Sequence, residues 1–228
     1  MDSILLDNAP FDLDISSLLK RLHASNSRGD AEKIGRLADE ARAIARPKGF
    51  CRIAYIDQKA DDSVVVDGIK LTSRVLRVNL AEVHRVFPFI ATCGVELDAW
   101  SNSIDGLLER FWADTIKLMA LEAAAKALEA RMLHLYQPGL TATMNPGSLE
   151  DWPISEQQHL FALLGDPRET VGVGLTDSFL MIPTKSISGI WFPTEVRFES
   201  CQLCPREGCP GRRAPYDKEL YEQRYAQR

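Results

Sequence analysis

No stretch of this sequence approaches the roughly 18 uninterrupted apolar residues that a membrane-spanning helix requires. The first twenty residues also lack the basic region and long apolar stretch of a secretory signal, and carry Asp2, Asp7, Asp12 and Asp14 instead. There is no surplus of positive charge: 27 Lys and Arg stand against 32 Asp and Glu, a formal charge of −5. A phosphate backbone is bound by cations spread along one face, whereas Arg206, Arg212 and Arg213 crowd into one short segment. Histidine is scarce, and His23, His84, His134 and His159 show no H-x3-H spacing on a helix. A histidine metal site or a Cys–His nucleophile therefore has no local support. Internal repeats and low-complexity tracts are absent, which excludes collagen-like and disordered classes. The expectation is a cytoplasmic protein with neither membrane nor nucleic acid as partner.

What is present is an ordinary globular composition, 228 residues with 45% hydrophobic side chains, enough for a real core. Ile15 to Leu22 and Ala31 to Ala45 carry apolar residues at helical spacing, with Asn26 to Asp30 as the break and Pro47 as the stop. From Cys51 to Leu80 the pattern turns to β-branched strings (CRIAYI, SVVVDGIKL, RVLRVNL), and Asp67-Gly68 between apolar runs predicts a hairpin. Ser73 to Leu76 reads as turn or strand. Val86 to Cys93 predicts a buried strand, Val95 to Leu108 a helix, and Arg110 to Tyr136 a long central helix rich in Ala, Leu, Met, Glu and Lys. Ala142 to Pro153 reads as a loop. Ile154 to Leu164 resumes a helix, with Ser155 and Gln158 in a capping-box pattern. Val171 to Met181 and Ser186 to Phe192 predict strands, and Tyr216 to Arg228 a charged terminal helix.

Cysteine carries the most specific local signal. Cys201-x2-Cys204 is followed after four residues by Cys209, and Pro205, Gly208 and Pro210 impose tight turns around the thiols. Such spacing suits a zinc ion or an iron–sulfur cluster, but both usually take four ligands, so Cys93, Cys51 or a histidine would have to complete the set. The alternative is a thiol-rich tail without a firmly bound metal. Cys93 and Cys51 each read by themselves as small buried hydrophobes. Thr176-Asp177-Ser178, on a predicted strand, offers a carboxylate and two hydroxyls, either to a ligand or to neighbouring backbone. Trp191 and Phe192 belong by default to the sheet core, although adjacent strand residues face opposite ways, which would leave one ring open to a ligand or partner.

Taken together, Asn145-Pro146-Gly147-Ser148, Asp151-Trp152-Pro153, Gly174 to Phe179 and Ser186 to Phe192 resemble the activation domain of cobalamin-dependent methionine synthase, and more closely its free-standing bacterial relatives. In that family a P-G-Y turn, an L-T-E-S strand and an S-V-S-G-W-Y-F strand follow in the same order. The similarity covers about residues 80–195, and the Cys tail is similar to that of the free-standing relatives. The resemblance implies an α+β domain (1–198) with a twisted, largely antiparallel sheet flanked by helices, followed by a Cys-rich metal-binding tail with a terminal helix (199–228). It further implies a stand-alone activator of a corrinoid-dependent methyltransferase, acting in reductive reactivation on cobalamin held by a partner, with S-adenosylmethionine as methyl donor and an electron donor protein. The ligand residues it implies are Asn145, Pro146, Gly147, Ser148, Asp151, Trp152, Thr176, Asp177, Ser178, Trp191 and Phe192. The family's Arg before the turn falls at Thr143 and its turn Tyr at Ser148. The alternative function is a metal-binding electron-transfer or interaction module built on Cys201, Cys204 and Cys209.

Overall fold

The computed structural model describes residues 3–24, 28–209 and 211–226. Strand β1 (Ser3–Leu6) is followed by helices α1 (Ile15–Arg21) and α2 (Arg28–Ile44). The Asp14 carboxylate caps α1 by accepting from the amides of Ser16 and Ser17, at 3.2 and 3.0 Å. The expected break at 26–30 is shorter than predicted, since α2 already includes Arg28, Gly29 and Asp30; Asn26 and Ser27 lie outside the described residues. Four strands follow: β2 (Lys48–Arg52), β3 (Ala54–Lys59), β4 (Ser63–Val66) and β5 (Ile69–Thr72). The predicted Asp67-Gly68 hairpin joins β4 to β5, with both residues at positive φ, the turn whose twist matches that of its strands.

The string Arg74 to Leu80, expected to be β, is instead helix α3 (Arg74–Asn79). Its amino end is fixed twice: the Ser73 hydroxyl accepts from the Leu76 amide at 2.9 Å, and Asp151 accepts from the Val75 amide at 3.0 Å. Strand β6 (Arg85–Thr92), α4 (Val95–Asn102) and α5 (Leu107–Tyr136) come next, so the helix predicted from Val95 to Leu108 is interrupted at 103–106. The stretch expected as loop begins with a strand, β7 (Thr141–Met144). A 3₁₀ turn (Ile154–Glu156) leads into α6 (Gln157–Leu164), and the predicted Ser155 capping box is not formed because Ser155 lies inside that turn. Asp166 caps a further helix, α7 (Pro167–Val171). The predicted strand Val171 to Met181 resolves into a hairpin of β8 (Gly174–Leu175) and β9 (Met181–Ile182), and β10 (Ser186–Pro193) is as expected. Past it stand a 3₁₀ turn (Ser200–Leu203) and one π-helical turn (Tyr221–Tyr225), shorter than the predicted terminal helix; Gln227 and Arg228 lie outside the described residues, as does Pro210.

Eight strands form one antiparallel sheet centred on β6. One edge of β6 pairs with β10, and the other pairs with β3 at Arg85 and Val86 and then with β2 from Phe89 to Thr92. β7 extends the sheet beyond β10, β1 extends it beyond β2, and β4 and β5 continue from β3. Alternation along β6 divides the core: Val86 and Ile90 face one side, Phe87, Phe89 and Ala91 the other. On the second side lies α5, with Leu128 and Met132 against Phe87, Phe89 and Trp191, and beyond it α1, α2 and α4 form a helical layer. On the first side α3, α6 and α7 cover Ile190 and Phe192, joined by Phe198 and a fully buried Tyr225 from the C-terminal segment. The α+β reading with a largely antiparallel, helix-flanked sheet is thus what the protein adopts.

Candidate functional site

The loop after β7 is built by a few close contacts. Asn145 donates its side-chain amide to the Ser188 carbonyl at 2.7 Å, tying the loop to β10, and Gln157 donates to the Ser188 hydroxyl at 2.6 Å. Gly189 makes that seam possible, because a Cβ there would stand 2.4 Å from Asn145 Nδ2 and 2.6 Å from the Met144 carbonyl. Gly147 turns the chain at φ +82, where a side chain is strained, and its amide donates to the Trp152 carbonyl at 2.7 Å. Trp152 and Pro146 are buried, Trp152 completely. Ser148 is exposed, and Asp151 is half-buried because it accepts from the Ser73 hydroxyl and the Val75 amide.

This loop forms one wall of a cleft of about 620 Å³. Ser148, Leu149, Glu150 and Asp151 stand on one side; Cys204, Tyr216, Lys218, Tyr221 and Glu222 of the C-terminal segment stand on the other. Among the described residues three carboxylates and one ammonium line it, a balance that favours a ligand carrying positive charge. Of the sequence-predicted residues, the structure brings Ser148, Asp151 and Cys204 together here, with Asn145, Pro146, Gly147 and Trp152 as the scaffold beneath. Thr176, Asp177 and Ser178 are placed elsewhere, at the tip of the β8–β9 hairpin, where Thr176 Oγ1 and Ser178 Oγ lie 3.0 Å apart. Trp191 and Phe192 do point to opposite faces, but both faces are covered. Trp191 stacks on Phe89 with centroids 3.7 Å apart, and Phe192 is buried in the other core, so the expected open aromatic ring is absent at this pair.

The cysteines divide by environment. Burial pushes the Cys93 thiol up to about 12 and raises the Cys51 thiol as well, leaving both protonated and inert. Cys201, Cys204 and Cys209 are free and partly exposed. Their loop is organised by a cation: Arg212 donates to the carbonyls of Cys201 (3.0 Å), Cys204 (3.1 Å), Ala214 (3.3 Å) and Arg206. Cys201 Sγ itself accepts from the Arg213 amide at 3.4 Å. Among the described residues no three His, Cys, Asp or Glu side chains converge as a metal would need, and Cys93 lies in the helical-layer core. The described residues thus show no cluster of the kind expected for zinc or an iron–sulfur centre at Cys201, Cys204, Cys209 and Cys93.

The lining contributed by Tyr216, Lys218, Tyr221 and Glu222 was not anticipated. The only signal was the recurrence of tyrosine at 216, 221 and 225; that the segment folds back onto the loop depends on contacts more than 60 residues away in sequence.

No protein-family model and no curated protein matches the chain. Solved structures do: a crystal structure of the MetH reactivation domain bound to AdoHcy superposes with a TM-score of 0.59 at 17% identity, over 83% of this chain and 70% of that one. The chain has the fold of the MetH reactivation domain. Among the described residues no helix is long and apolar enough to cross a membrane.

Proposed function

We propose that this protein is a stand-alone activator or accessory protein for a corrinoid-dependent methyltransferase, and that its cleft takes S-adenosylmethionine. The observation that carries the reading is the reactivation-domain fold over 83% of the chain together with a cleft at the loop assigned to ligand by its sequence pattern. S-adenosylmethionine would supply an electrophilic methyl group to a cobalt centre held by the partner, and an electron donor protein would supply the reducing equivalent. The chain's own residues bind and orient. Asp151, held by Ser73 and Val75, fixes the cleft floor; Glu150 and Glu222 place negative charge where a sulfonium is favoured. The hairpin tip at Thr176, Asp177 and Ser178, beside the exposed Leu180 and Ile182, is assigned to the corrinoid-bearing partner rather than to the methyl donor.

Calorimetry of the full chain with S-adenosylmethionine and with AdoHcy tests the reading, accompanied by visible spectroscopy of a partner-bound cob(II)alamin. Binding near micromolar, about −8 kcal/mol, is the expected result, with Asp177→Ala leaving that affinity unchanged. Absence of binding by both ligands would overturn the assignment of the cleft.

A further inference from the structure

The two walls of the cleft are chemically unequal. The loop wall presents a hydroxyl, a leucine and two carboxylates at Ser148, Leu149, Glu150 and Asp151, with neither cation nor aromatic ring. Thr143, where the resemblance would place an arginine, lies in β7 opposite Trp191 and offers no charge. The C-terminal wall supplies what the loop lacks: among the described residues Lys218 is the one cation in the lining, and Tyr216 and Tyr221 are 46% and 42% exposed.

That wall is held in place. Tyr225 is fully buried, its hydroxyl donates to Asn79 Oδ1 at 2.9 Å, and its carbonyl accepts from Arg74 at 2.7 Å. The Asp217 amide donates to the Gln202 carbonyl at 2.8 Å, and the Asp217 carboxylate accepts from the amides of Glu219 and Leu220, both at 3.1 Å. Lys218 is therefore carried on backbone pinned on either side, and among the described residues its ammonium makes no ion pair.

We infer that the C-terminal segment is the recognition wall for an adenosyl amino acid: Lys218 pairs with the ligand's carboxylate, and Tyr221, with Tyr216 beside it, covers the flat adenosyl half. This rests on the cleft assignment made above. A ligand with a carboxylate, a cationic sulfur and a planar base uses both walls at once, the sulfonium toward Glu150 and Glu222 and the carboxylate toward Lys218. The C-terminal segment then acts as part of the binding site, in place of the electron port that its cysteine spacing implied.

The test is calorimetry of the full chain with three probes: S-adenosylmethionine, AdoHcy and 5′-methylthioadenosine, which lacks the amino-acid carboxylate. Lys218 is exposed, so its replacement leaves the fold intact, which circular dichroism checks. Lys218→Ala weakens S-adenosylmethionine and AdoHcy about tenfold or more and leaves 5′-methylthioadenosine unchanged, while Lys218→Arg retains affinity. Tyr221→Ala weakens all three probes. If the parent protein binds AdoHcy and Lys218→Ala binds it equally well, the inference falls and the cleft assignment stands. If the parent binds none of the probes, the cleft assignment itself has failed.

Discussion

Tyr225 is the side chain that fastens the C-terminal segment to the sheet, so its removal is the sharpest structural perturbation available. The ring is fully buried, packs edge-on to Phe198 with centroids 6.3 Å apart, and donates its hydroxyl to Asn79. Truncating a buried aromatic to alanine costs about 3–5 kcal/mol, whereas Tyr225→Phe removes one hydrogen bond, about 1 kcal/mol. The bond from Arg74 to the Tyr225 carbonyl is worth about 1 kcal/mol, well below the cost of losing the ring. Tyr225→Ala therefore releases residues 199–226 and opens the cleft on one side, while Tyr225→Phe leaves them docked. Limited proteolysis with mass spectrometry reads the release as new cleavage between 199 and 226, and calorimetry reads it as loss of AdoHcy binding. Burial also raises the phenol above its ordinary value. Above about pH 10 the undocked phenol ionises while the docked one keeps its proton, so docking is full below that pH and weakens as pH rises; Tyr225→Phe removes this dependence. A Tyr225→Ala protein with the parent's cleavage pattern and ligand affinity would refute the reasoning.

Gly189→Ala forces a Cβ against Asn145 Nδ2 and the Met144 carbonyl, and costs about 1–3 kcal/mol by overpacking, visible as a lowered denaturant midpoint. Asp151→Ala strips α3 of its second cap and costs about 1–2 kcal/mol, with AdoHcy affinity falling in the same sample. In native protein a thiol reagent at pH 8 modifies Cys201, Cys204 and Cys209 but spares Cys51 and Cys93, whose buried thiols stay protonated; labelling of Cys93 at the rate of Cys204 would contradict the burial argument.

Most of the sheet was legible in the sequence because its signals are local. Asp67-Gly68 fixes a hairpin by backbone preference alone, and the long run ending at Tyr136 is helical by composition. The errors fall where a distant residue decides. Arg74 to Asn79 is rich in valine and reads as strand, yet Asp151, 76 residues away, caps it into a helix. Asp177 reads as a strand residue, yet Thr176 and Ser178 close a tight tip around it and carry it away from the cleft. An ordered motif points to Ser148 and Asp151, which line the cleft, whereas Lys218 and Tyr221 line it because Tyr225 is buried against Asn79 and Phe198, a contact no local pattern encodes.

The pairing of β6 has a consequence for how the chain is made. Its partners β2 and β3 precede it, but β10 lies about a hundred residues downstream, a separation that delays closure of the pair. Until residue 193 has left the ribosome, the nascent chain carries its most apolar strand with one long edge bare, a template for pairing with a neighbouring copy. The long α5 can shield the Phe87 and Phe89 face in that interval, but not the edge. The strand that seals the edge is the same one that seats the loop at Asn145, so the nascent protein becomes safe from aggregation at the step that sets the first wall of its cleft.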